Sequence, residues 1–64
     1  MVTLQNDTRT FRLEFVPAGP DRFQVRELCR DGDSWQERQT ITVSAERAVT
    51  LKRFALRNNF FIKP

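Results

Sequence analysis

Phe11, Leu13 and Phe15 alternate with Arg12 and Glu14, and Phe23 and Val25 alternate with Arg22, Gln24 and Arg26. A period of two fits only extended strands with one face buried and the other wet. Between the arms, Pro17 and Pro20 remove ladder donors and Gly19 permits a positive φ, so "PAGPD" is a hairpin loop. Residues 11–28 therefore read as a ribbon, apolar on one side and rich in arginine on the other.

The flanking segments extend this pattern. Val2 and Leu4 alternate with Thr3 and Gln5 as a short first strand, and Asn6-Asp7 supplies turn chemistry. The second strand is expected over 9–16 and the third from Arg22 to about Cys29. Asp31-Gly32 is a strong hairpin signal, and a fourth strand over 34–43 ends in the β-branched "TITV". Strict alternation puts Trp35, Ile41 and Val43 on the apolar face together with Glu37 and Gln39. Two polar residues on that parity predict a bulge or a sheet edge near 36–39. Trp35 is then core if the alternation is strict, and outward-facing if a bulge intervenes.

Ser44 has the chemistry of a helix N-cap, and Glu46 suits the positive end of a helix. Over 45–57, Ala45, Ala48, Val49, Leu51, Ala55 and Leu56 fall on one arc at about 100° per residue. Arg47, Arg53 and Arg57 lie largely opposite, and Asn58-Asn59 is a plausible stop. The apolar tail "FFIKP" follows. The expected fold is α+β and ββββα: one domain over 1–64, a curved antiparallel four-stranded meander and one C-terminal amphipathic helix, with 58–64 as a tail. Phe11, Leu13, Phe15, Phe23 and Val25 are the expected floor beneath the helix. One helix covers only one face of such a sheet, so the arginine side stays open.

At 64 residues the chain is small. Domains of about 60 residues bury only roughly 60 % of the surface exposed by the unfolded chain, and many lean on disulfides, metals or self-association. Cys29 is the only cysteine and there is no histidine. An internal disulfide is excluded and a zinc site has too few ligands. Good packing or a homodimer remains. Phe60, Phe61 and Ile62 must bury either on the monomer core or in a second subunit.

Catalytic chemistry is hard to assemble. No histidine base serves Cys29, which reads as a small packing residue at a strand end. Gly19 and Gly32 are turn residues rather than a phosphate loop, and "DGD" at 31–33 is turn chemistry rather than a metal loop. The expectation is a non-enzyme without cofactor or metal. No apolar run is long enough for a membrane span. "MVTLQND" has neither the cationic start nor the apolar core of a signal peptide, which points to the cytoplasm.

Eleven basic residues face eight acidic ones, and nine of the eleven are arginines. A GC-rich coding sequence would give the same bias. Guanidinium also forks phosphate and stacks on flat π-systems, which ammonium does not. With the strands in register, Arg12, Arg22, Gln24, Arg26, Arg38, Thr40 and Thr42 gather on the open face, with Glu14 as the opposing charge. Such a face is either solvated surface or the cationic platform of a single-strand binder.

The stretch 23–54 resembles the PC4-type single-stranded-DNA-binding fold. The matching pieces are Val25-Arg26-Glu27-Leu28, Asp31-Gly32, Ile41-Thr42-Val43-Ser44 and the helix from Ala45. "TFRLEF" and "RFQVRE" are similar to the paired strands of Pur-alpha-type repeats, which share the ββββα order. The chain departs from the pattern at "QERQT", where a basic glycine-containing segment is usual, and at Leu28, where an aromatic is usual. The resemblance implies a homodimer, with contacts assigned to Leu51, Phe54, Phe60 and Phe61. It further implies an outer sheet face that grips single-stranded nucleic acid; joined to the strand register, the expectation is a binder of DNA or RNA with little sequence preference, through Arg12, Arg22, Gln24, Arg26, Trp35, Arg38 and Thr40. The alternative is a protein-interaction module, a small phage or bacterial adaptor or inhibitor docking through a sheet edge or the FFIKP tail.

Overall fold

The computed structural model of the protein describes residues 1–63. Strands β1 (Val2–Asn6), β2 (Phe11–Pro17), β3 (Arg22–Asp31) and β4 (Ser34–Ser44) precede helix α1 (Ala45–Arg57), and β5 (Phe60–Ile62) closes the chain. All strand pairs are antiparallel, in the order β4-β3-β2-β1-β5. The four-stranded meander and terminal helix are as expected, and the tail adds a fifth strand. The turn at Asn58-Asn59, with Asn59 at φ 65°, reverses the chain so that it pairs with the free edge of β1. Phe60 thereby packs onto the core and meets Phe11 edge-to-face at 6.3 Å. The tail thus half-buries Phe60 on its own monomer, whereas Phe61 and Ile62, expected to bury as well, remain exposed.

The two faces follow from the register. Leu4, Phe15 and Val25 are buried beneath α1, flanked by Val2, Leu13, Phe23 and Val43. From the helix, Ala48 and Ala55 are buried and Leu51 packs against the same cluster. The two alanines let the helix backbone approach the sheet closely, and the Lys52 ammonium spans the rings of Phe15 and Phe23 at 5.5 and 5.6 Å. Val49 and Leu56, which the helical arc assigns to the core, are 44 % and 45 % exposed. The buried stripe is narrower than the arc because a single helix meets the sheet along one line.

Local chemistry sets the boundaries. Ser44 Oγ accepts the backbone N–H of Arg47, and the Asn58 amide donates to Phe54 O, so both helix ends are capped as expected. The β3–β4 hairpin closes on Gly32-Asp33, with Gly32 at φ 62° in the first loop position, where mirror-image turns need glycine. Asn6 organises the β1–β2 turn: its Oδ1 accepts from the backbone N–H of Thr10 and Phe11, and its Nδ2 donates to Thr8 and Thr10. That network holds Arg9 at φ 59° on the turn's tip.

Phe15 is the largest fully buried side chain. Phe15→Ala should cost about 3–5 kcal/mol, a large share of the roughly 5–15 kcal/mol available to a small domain. Urea denaturation should then show a midpoint well below that of the parent. A midpoint equal to that of the parent would contradict this account of the core.

Candidate nucleic-acid interface

The face opposite α1 is built by cross-strand rows. Gln5, Arg12, Leu28 and Glu37 are register neighbours, as are Thr3, Glu14, Arg26 and Thr40. Val16, Gln24 and Thr42 form a third row, Arg22 stands opposite Ser44, and Arg30 opposite Trp35. Of the residues expected here, Arg12, Arg22, Gln24, Arg26, Thr40 and Thr42 share this open face.

Two placements depend on a bulge. Glu27 pairs with Gln39 but Leu28 pairs with Glu37, so Arg38 has no partner on β3. One extra residue inverts the parity of everything before it in β4. Trp35, core on strict alternation, therefore stands on the open face. Glu37 moves there too, which adds a second carboxylate to the face. Arg38 does not join it: its guanidinium lies 5.8 Å from the ring of Phe11, on the helix side. The assignment of Arg38 to the open face is corrected by this geometry.

The remaining arginines are not equivalent. Arg26 is held by two carboxylates, Nη1 to Glu14 at 2.7 Å and Nε to Glu37 at 2.8 Å. The hydrogen bond to Glu37 and the charge of Glu14 raise its pKa further above the usual guanidinium value. Its charge is compensated at the surface by these two carboxylates. Thr40 stands beside the same cluster, opposite Arg26 in register. Arg12 is different: its Nε donates to Gln5 Oε1 at 2.7 Å and its guanidinium lies 4.0 Å from the centre of the Trp35 ring. The pair forms a flat cationic plate, stabilised by about 0.5–1 kcal/mol of cation–π attraction at an exposed site. Leu28, on the same face between Arg12 and Glu37, is only 6 % exposed and gives this plate an apolar floor.

Beside the plate, at the turn end of the sheet, is a recess of about 430 Å³. Arg9, Arg12, Arg30 and Lys63 line it with positive charge, Gln5 and Trp35 complete the wall, and Asp33 contributes a carboxylate. Arg30 Nε donates to Gly32 O at 2.9 Å, so the β3–β4 turn fixes this side chain too. Alternation along β3, carried one step past Leu28, would have found Arg30. Arg9 depends on a left-handed turn position and Lys63 on the fifth strand, and period-two spacing signals neither.

The residues assigned to a dimer contact divide. Leu51, Phe54 and Phe60 line a groove of about 270 Å³ on the helix side, together with Phe11, Leu13 and Ile41. Phe61, opposite Gln5 in register, lies on the other face and lines a separate concavity with Gln5 and Arg9. Cys29 lies near the end of β3, half-buried, opposite Phe11 and Gln36.

The hydrogen bond from Arg26 holds the Glu37 carboxyl below its usual pKa. A carboxylate lowered in this way stabilises the fold above the ordinary glutamate range, and that contribution is lost as pH falls through the folded-state pKa. Carboxyl NMR should give Glu37 a midpoint below the usual value of about 4.3, and Arg26→Gln should raise it. An unmoved midpoint in that variant would show that the cluster is not formed in solution. Comparison with protein-family models, with curated proteins and with solved structures finds no match to this chain.

Proposed function

We propose that the protein binds single-stranded DNA or RNA with little sequence preference, on the sheet face that α1 leaves open. The observation that carries this reading is the Arg12–Trp35 plate bordering a recess with four cations and one carboxylate. Single-strand binders combine cationic surface, which attracts phosphate, with flat groups on which any base stacks. The contacts concentrate at the turn end, on Arg12, Trp35, Arg30, Arg9 and Lys63. Arg22 and Gln24 extend the surface toward the opposite end, while Arg26, with Thr40 beside it, supports it through Glu14 and Glu37. The motif residues Val25-Arg26-Glu27-Leu28 and Ile41-Thr42-Val43-Ser44 add the resemblance to PC4-type domains.

The helix-side groove favours a second element of the reading, a homodimer. Phe54 is 67 % exposed and Ile41 44 %, and both line the groove. Ile41 lies on β4, an edge strand whose outer ladder is unpaired. A second copy pairing along β4 would cover both the edge and the groove, supplying the burial that a chain of 64 residues lacks alone. The same groove and edge would serve a protein-docking module if the open face binds no nucleic acid.

Titrating a labelled oligonucleotide tests the main reading. For four phosphate contacts on a single strand, affinity should fall on the order of fifty-fold between about 50 and about 200 mM salt. Trp35→Ala should weaken binding by the equivalent of about 1–3 kcal/mol, the range for loss of one stacked base. No binding at low salt would refute the proposal. The solution mass should be that of a dimer and should drop to a monomer in Phe54→Glu; a parent chain that is monomeric would exclude the second copy.

A further inference from the structure

We infer that the recess at the turn end of the open face takes a phosphate monoester at the end of a nucleic-acid strand, an inference that rests on the nucleic-acid reading above. Arg12 and Arg30 are both fixed through Nε by neutral acceptors, Gln5 Oε1 and Gly32 O. Neither makes an ion pair among the described residues, in contrast to Arg26 with its two carboxylates. Each therefore holds a pre-set guanidinium whose Nη groups carry donors for an oxyanion. Arg9 and Lys63 add two cations to the same recess, and Asp33 is the only acid among its described lining residues. This surplus suits a group carrying close to two negative charges, as a phosphate monoester does near neutral pH; an internal phosphodiester carries one.

The rest of the face argues for a strand end rather than a long track. Glu14 and Glu37 flank Arg26 in the middle of the sheet, between the recess and Arg22 at the far end. A strand crossing the whole face would carry its phosphates past both carboxylates. A terminal nucleotide seated at the turn end avoids them, with its base against the Arg12–Trp35 plate.

The test compares three short oligothymidylates with an internal fluorophore, bearing a 5′-phosphate, a 3′-phosphate, or hydroxyls at both ends. Anisotropy should show about tenfold tighter binding for one of the phosphorylated ends, the size of one charge-assisted hydrogen bond. Arg30→Gln should remove most of the difference between phosphorylated and unphosphorylated strands. Equal affinity for all three strands would overturn the terminal site and leave the broader reading intact, whereas no binding of any strand would overturn both. Competition by thymidine monophosphate as strong as that of the phosphorylated strand would assign the recess to a free nucleotide and contradict the strand-end inference.

Discussion

The unpaired residue in β4 decides what stands on each side of the sheet. Without a bulge at Arg38, Trp35 and Glu37 would lie under the helix and Arg38 would lie among the exposed arginines. With it, the indole faces outward against Arg12, Glu37 reaches Arg26, and Arg38 lies over Phe11. Gln39, Ile41 and Val43 keep the helix-side parity beyond the bulge, so the inserted residue reconciles two segments of β4 whose side chains alternate in opposite phase. Without that phase change the face would lack the indole that stacks on Arg12, and Arg26 would keep only Glu14.

The open face then separates into parts with different electrostatic duties. Arg26 is locked between two carboxylates and contributes rigidity more than attraction. Exposed ion pairs of this kind add little to stability, typically 0 to about 1 kcal/mol, yet they fix where Glu14 and Glu37 stand. Those two acids divide the face, and uncompensated charge collects at the end where the β1–β2 and β3–β4 turns converge. Neutral acceptors hold Arg12 and Arg30 there without cancelling their charge. The arginine count of the sequence therefore overstates the cationic surface, and the distribution of acceptors determines which arginines remain available.

Much of the fold was legible because its signals are local. The period-two runs in β2 and β3, the Asp31-Gly32 hairpin, the Ser44 cap and the Asn58 stop each name their own structure. The fifth strand was not legible, since three apolar residues after a helix say only that they must bury, and the free edge of β1 that receives them is a tertiary fact. The site was half legible. Arg12, Arg22, Gln24 and Thr40 follow from parity, and the polar pair Glu37 and Gln39 announced an irregularity near its true place. The position of the bulge, and so the fates of Trp35 and Arg38, depends on which residue loses its β3 partner, which spacing alone leaves open.

The most direct test of the central claim is a map of where an oligonucleotide touches the isotopically labelled protein in solution. The indole N–H of Trp35 and the Nε–H groups of Arg12 and Arg30 should shift on titration with a short single strand. The backbone amides of Leu51 and Phe54, on the opposite side of the sheet, should stay in place. Shifts confined to the helix side, or none at all, would contradict the assignment of the open face as the binding surface.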